Sequence, residues 1–254
     1  MYKLQRKLFS QNFLHSRKLV HELIRGSSIG KHDLVLEIGP GKGILTEELL
    51  KQSQHVIAVE IDSQWYKYLQ EKLSSSDNLT LYHEDFLNFK LPSLPYKVFA
   101  NIPFSIEGKI IRRLIDAKNP PEDCYLVMMK DVAYRLSAPY KDNQFSIMHK
   151  PWFEFSIYYH FSRKDFTPYS NVESVMIRFM KRENPLLSWD QKEKYQRFIE
   201  EDFQYGLPVF QHLKRRYGKG KAVEILGQIQ ANKQSKPSYI NMKEWIRLYK
   251  LLNG

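Results

Sequence analysis

A single cysteine, Cys124, in 254 residues excludes an internal disulfide and a zinc site built on several thiolates. No apolar run approaches the roughly 20 residues that a membrane-spanning helix needs. The start, Met1-Tyr2-Lys3-Leu4-Gln5-Arg6-Lys7, lacks the apolar core of a signal peptide. These absences give the expectation of a cytoplasmic protein, with no membrane contact. The eight histidines show no metal-ligand spacing, so no metal is expected. Internal repeats and low-complexity tracts are absent too. Acidic residues are scarce, 28 against 39 Lys and Arg, and the shortfall is local. Residues 1–25 carry a net charge of +5, residues 184–254 carry +6, and the stretch between is neutral. A neutral middle with basic ends fits a catalytic body with a grip for a polyanion such as RNA. A basic surface kept for solubility is the plainer alternative.

Glycine is sparse as well, 11 residues in all, yet three of them stand at Gly39, Gly41 and Gly43. They follow an apolar run, Leu34–Ile38, that reads as a strand buried on both faces, and they precede helical spacing from Ile44 to Leu50. Strand, glycine loop and helix make the first crossover of a doubly wound sheet, where ligands sit beyond the strand ends. A phosphate loop would need Lys-Ser/Thr after a four-residue gap, and the dinucleotide fingerprint would need glycine in place of Ile44. Neither fits. Glu60 ends the next strand, Val56–Glu60, where a carboxylate accepts both hydroxyls of a ribose. A nucleoside cofactor without a pyrophosphate suits this set, and S-adenosylmethionine is the obvious one. Asp85, after a third strand at Leu79–Tyr82, is placed to accept a hydrogen bond from the adenine amine; a plain cap or loop acid is the alternative. The bland reading of the whole motif is a tight turn beside a surface glutamate.

Asn101-Ile102-Pro103-Phe104, after a fourth strand at Tyr96–Ala100, carries the chemistry. An exocyclic aromatic amine is a poor nucleophile because its lone pair is conjugated with the ring. Two acceptors on its N–H groups, the Asn101 side-chain oxygen and a backbone carbonyl at Ile102, draw the nitrogen toward tetrahedral geometry. Pro103 removes a competing donor and stiffens the turn, and Phe104 offers a face for the base. No histidine base is required, since the amine becomes acidic only once methylated. An Asn-x-Pro turn with a core Phe is the structural alternative. Phe166, before Pro168, is a candidate second wall for an extruded base; core packing is the competing reading.

Along the rest of the chain, Ser10–Leu14 reads as a loop clamp and Arg17–Ser28 as a helix. Asp62 and Ser63 cap a helix through about Leu73. Cys124–Lys130 is a fifth strand, Ala138–Lys150 is loop-like, and Phe153–Phe161 with Glu173–Phe179 form an antiparallel pair at the sheet edge. After Asn184-Pro185 strand signals vanish. Trp189–Phe203, Pro208–Tyr217, Lys221–Gln230 and Ile240–Leu251 read as helices. The expected organisation is therefore an α/β, Rossmann-like, doubly wound, mostly parallel sheet over residues 1–183 and a small all-helical domain over residues 184–254. Lys214, Arg215 and Arg216, among aromatic neighbours, are the RNA-facing candidates; a solvated helix face explains them nearly as well.

Together Gln11-Asn12-Phe13-Leu14, Glu37-Ile38-Gly39-Pro40-Gly41-Lys42-Gly43 and Asn101-Ile102-Pro103-Phe104 resemble the rRNA adenine N6-methyltransferases. The resemblance runs on through Lys150-Pro151-Trp152-Phe153-Glu154-Phe155 and Phe166-Thr167-Pro168, covering about residues 8–180. Lys42 and Ile102 resemble the Erm-type enzymes, which act on 23S rRNA and block macrolide, lincosamide and streptogramin B antibiotics. The sister group, the small-subunit dimethyladenosine transferases, usually has Asn-Leu-Pro-Tyr. The resemblance implies a class I methyltransferase fold and a monomer whose substrate is 23S rRNA, naked or in assembly intermediates. It also implies that Asn12 and Leu14 contact the cofactor, that Gly39 touches its methionine part, and that Asn101 contacts cofactor and target base. Small-subunit dimethylation and a non-catalytic RNA-binding role on the same fold are the two rival expectations.

Overall fold

Short apolar runs alternating with amphipathic helices produce the expected layered sheet. The computed structural model describes residues 12–229 and 231–253. Residues Ser10 and Gln11, part of the expected loop clamp, lie outside the described residues. By contact the chain forms two compact units, Met1–Ala133 with Ser156–Lys181, and Tyr134–Phe155 with Arg182–Gly254. The second unit thus takes in an internal segment, residues 134–155, besides the C-terminal helices.

The elements run β1 (Phe13–Leu14), α1 (Arg17–Arg25), β2 (Leu34–Ile38), α2 (Ile44–Gln52), β3 (His55–Glu60), α3 (Ser63–Lys72) and β4 (Leu79–His83). They continue with β5 (Lys97–Asn101), α4 (Glu107–Ile115), β6 (Asp123–Met129), α5 (Lys130–Ser137), α6 (Gln144–His149), β7 (Phe153–His160), β8 (Phe166–Thr167) and β9 (Ser174–Lys181). The helical part holds α7 (Lys192–Phe203), α8 (Val209–Tyr217), α9 (Lys219–Gln228) and α10 (Met242–Asn253). The seven-stranded sheet has the order β4-β3-β2-β5-β6-β9-β7. β4, β3, β2, β5 and β6 are parallel neighbours, and β9 runs antiparallel to β6. β7 takes the edge; Phe161 N–H donates to Ser174 O, and at the other end Arg182 N–H donates to Trp152 O. From β2 the chain winds one way through β3 and β4, then returns to β5 and winds the other. The crevice above β2 and β5 is therefore the switch point where such sheets bind ligands.

Strand β2 has Val35 to Ile38 buried, as a parallel strand covered on both faces should. Val20, Leu23 and Ile24 of α1, Leu45 and Leu49 of α2, and Phe99 and Tyr125 of the sheet share one core. The antiparallel junction is fastened by Arg178 on β9, whose guanidinium grips Asp123 of β6 at 2.7–3.1 Å. Two departures from the expected elements stand out. Phe13–Leu14 is a strand, paired antiparallel with Phe166–Thr167. Gln144–His149, inside a stretch expected to be loop, is a helix closed by a capping box between Asn143 and Ser146.

In the second unit Trp152, Tyr195, Trp245 and Tyr249 are buried. Asp142 accepts the Met242 N–H at 3.0 Å and the Lys150 ammonium at 3.0 Å, which ties the internal segment to α10. Burial would raise the Asp142 carboxyl, but these two donors outweigh it and hold it below its ordinary value. Among the described residues no helix is long and apolar enough to cross a membrane.

Candidate active site

Parallel strands β2, β3 and β5 all end on one rim, and their ends supply the site. A hollow there is lined by Asn12, Leu14, Gly39, Gly41, Glu60 and Asn101, with Ile102 and Pro103 of the expected catalytic turn. Residues separated by up to 91 positions in sequence thus converge because the sheet brings three strand ends side by side.

The loop Gly39–Gly43 turns sharply from β2 into α2. Gly39 has φ +65°, and nothing lies within 4 Å of the place a Cβ would occupy. The loop leaves open space where a bound group would lie. At Gly41, φ is +52° and a Cβ would come within 2.6 Å of the Phe13 ring, so glycine is demanded by both backbone and neighbour. Glu60 is 3% exposed. Its Oε2 accepts the Gly41 N–H at 3.0 Å and its Oε1 accepts the Asp62 N–H at 2.8 Å. Burial raises its carboxyl above the ordinary value, and the two amides offset that only in part. Each oxygen keeps a further lone pair, so Glu60 both pins the loop and stays able to accept from a ligand.

Asn101 is the last residue of β5 in register with Val127 of β6. Its side-chain nitrogen donates to the Asn12 carbonyl at 2.7 Å. A carbonyl only accepts, so the amide must present its NH2 to Asn12 and its oxygen elsewhere. That orientation leaves an acceptor beside the hollow. Ile102 is buried and Pro103 has φ −64° with extended ψ. The turn closes when the Ile106 N–H reaches Pro103 O at 3.2 Å. Phe104 is half-buried on the short turn that leads into α4 and lies outside the lining of the hollow.

Two more residues expected at the site, Asp85 and Phe166, do not line the hollow. Asp85 is half-buried two residues beyond β4, and its Oδ1 accepts the Leu87 N–H at 2.9 Å. It forms an Asx turn, the loop-acid alternative, and does not line the hollow. It stands close to the site nonetheless, since the adjoining Glu84 N–H donates to Glu60 O at 3.0 Å. Phe166 requires a correction: its ring is fully buried, in the core with Leu14 and edge-on to Phe161 at 5.4 Å. It offers no open face here, because pairing with β1 draws it inward. Lys214, Arg215 and Arg216 lie on exposed turns of α8, beside a separate hollow with Tyr205 and His212. Arg216 is already paired with Glu201 at 2.7 Å. His212 meets Asp202 at 3.0 Å, and burial pushes the Asp202 carboxyl up to about 7.

Sequence reasoning missed six lining residues, Phe13 and Lys42 among them, and one buried acidic group on β2. Phe13 lies between two assigned positions and Lys42 between two glycines, so adjacency was the available signal. Glu37 on β2 is fully buried. Neither oxygen of its carboxyl makes a well-formed hydrogen bond among the described residues, although Thr46 lies near. Burial pushes it up to about 8, with Thr46 opposing and the Glu60 charge adding to the rise.

Comparison with known proteins adds a family. A family model described as "Ribosomal RNA adenine dimethylase" matches residues 2–253. The chain is 30% identical to "Ribosomal RNA small subunit methyltransferase A" of Lactococcus lactis subsp. lactis, over 96% of this chain and 88% of that one. It is 29% identical to "rRNA adenine N-6-methyltransferase" of Saccharopolyspora erythraea, over 98% of this chain and 65% of the other. Among solved structures, the 23S rRNA methyltransferase ErmE superposes with a TM-score of 0.83 at 28% identity, covering 96% of this chain and all of that one. A dimethyladenosine transferase from Plasmodium falciparum gives 0.80 at 21% identity, over 95% and 97%. At that identity it speaks for the fold alone.

Proposed function

This chain belongs to the ribosomal RNA adenine dimethylase family, enzymes that methylate adenine N6 with S-adenosylmethionine, and we propose that the Asn101 hollow is its catalytic centre and small-subunit rRNA its substrate. The observation that carries the first part is the meeting of Asn12, Gly39, Gly41, Glu60 and Asn101 around one hollow at the switch point of the sheet. The residues fit the cofactor. Open space beside Gly39 takes its methionine part, and the remaining lone pairs of Glu60 take the ribose hydroxyls. Asp85 supports the adenine end from the adjoining loop. Asn12 and Leu14 close the near wall, which Asn101 buttresses through the Asn12 carbonyl.

S-adenosylmethionine supplies an electrophilic methyl group when bound; the chain does the rest. Asn101 Oδ1 and the Ile102 carbonyl accept hydrogen bonds from the two N–H groups of the target amine and hold its lone pair in line. Pro103 keeps those acceptors aimed, and Phe104 covers one face of the base. Fixing both reactants in near-attack geometry supplies about 7–11 kcal/mol of the barrier. The proton leaves to solvent after transfer, when the methylated amine is acidic.

The small-subunit substrate is supported by the Lactococcus relative, whose printed name specifies that subunit and whose match spans nearly the whole chain. A second reading, a 23S rRNA substrate with macrolide-lincosamide-streptogramin B resistance, is favoured by Lys42 and Ile102 in the two motifs and by the full-length likeness to ErmE. Primer extension on rRNA from cells expressing the chain decides. A stop near the 3′ end of the small-subunit rRNA supports the first reading and one in the large-subunit rRNA the second; extension without a stop in either overturns both.

A further inference from the structure

Of the fourteen described residues that line the hollow, two are charged, Glu60 and Lys42. Glu60 is held by two backbone amides. Lys42 forms no ion pair among the described residues, although the neighbouring Lys72 takes Glu47 as its partner. The Lys42 ammonium instead rests over the Phe13 ring, 5.2 Å from its centre. Its backbone is fixed: Lys72 Nζ donates to the Lys42 carbonyl at 3.1 Å, and the Gly43 N–H donates to Pro40 O at 2.9 Å. The ring below is fixed too. Phe13 is wedged between the Gly41 backbone and Trp65, whose ring meets it edge-on at 5.6 Å. The exposed Lys42 thus carries its ammonium over a ring packed between Gly41 and Trp65, at the lining of the hollow.

A methionine moiety carries a carboxylate, and a carboxylate leaving water needs a donor of matching strength. Among the described residues Lys42 is the one cationic donor on the lining. We propose that Lys42 is the counter-ion of the cofactor's methionine carboxylate, and that it makes the site favour a nucleoside bearing an amino acid over one without it. The idea rests on the methionine part lying against Gly39, as proposed above.

Titration calorimetry with two ligands tests it. S-adenosylhomocysteine keeps the amino acid; 5′-methylthioadenosine lacks it. Lys42→Met is expected to raise the Kd for S-adenosylhomocysteine about tenfold, a charged hydrogen bond discounted for exposure. It should leave methylthioadenosine within about twofold, and Lys42→Arg should restore most of the difference. The proposal is overturned by an unchanged Kd for S-adenosylhomocysteine, or by equal weakening of both ligands, which would make Lys42 a prop for the loop. A change confined to rRNA affinity and its salt dependence also overturns it, since the ammonium would then serve a phosphate. Glu60→Gln separates this idea from the placement beneath it. Weakening of both ligands supports the ribose at Glu60. If neither weakens while Lys42→Met still discriminates, the placement falls and the carboxylate contact stands.

Discussion

Asn101 and Glu37 sit one strand apart and answer to opposite demands. In the proposed reaction Asn101 offers an oxygen to the target amine while its nitrogen is committed to the Asn12 carbonyl, so removing the amide removes both the acceptor and the buttress. Asn101→Ala is expected to lower kcat by about 10²–10³-fold, the scale set by loss of one preorganised polar contact. S-adenosylhomocysteine affinity should fall only modestly. Single-turnover methyl transfer beside calorimetry measures the two, and unchanged turnover would remove Asn101 from the chemistry. Glu37 holds its proton in the folded state up to about pH 8, whereas an exposed glutamate loses it near 4.5. Between those values the unfolded chain ionises and the folded one does not, so this group lowers stability as pH rises, by about 1.4 kcal/mol per unit. Above pH 8 its contribution levels off. Glu37→Gln should therefore melt higher than the parent at pH 8 and alike at pH 4.5; parallel melting curves across that range would contradict the assignment.

Elements with a long apolar signal were legible from sequence, and short ones were not. Leu34–Ile38 and Asp62-capped α3 carry their own periodicity or cap, so local propensity and tertiary structure agree. β1 and β8 have two residues each. Two residues show no period, and their pairing partner is remote in sequence, so the ladder that carries Phe13 and buries Phe166 is invisible without the fold. The same holds for α6, six residues long, where a helix turn is too brief for an apolar stripe. Its signal was Asn143, three residues before Ser146, read as part of a polar loop. Because a capping box holds that helix, Asn143→Ala should destabilise the protein by about 1 kcal/mol. Urea unfolding measures this, and an unchanged midpoint at equal slope would show that packing alone maintains α6. The hollow itself was partly legible, since glycine spacing and strand-end acids point to one rim. Phe166 was not, because whether a ring faces a ligand depends on neighbours that spacing does not specify.

For the whole chain the excess of positive charge lies in residues 1–25 and 184–254, outside the span that carries the glycine loop and Asn101. Binding of rRNA is therefore expected to weaken steeply with salt. Replacing Lys214, Arg215 and Arg216 together by alanine should reduce the slope of log K against log salt by about 1.5–2, not by three contacts' worth, because Arg216 is already neutralised by Glu201. Filter binding across a salt series checks this; an unaltered slope would take α8 off the RNA face. The ladder between Phe13–Leu14 and Phe166–Thr167 has a further consequence during synthesis. A nascent chain stopped short of Phe166 possesses the glycine loop, Glu60 and the Asn101 turn, yet its amino-terminal strand has nothing to zip onto. The wall that Asn12 and Phe13 give the hollow is thus completed only after about two-thirds of the polypeptide has been made.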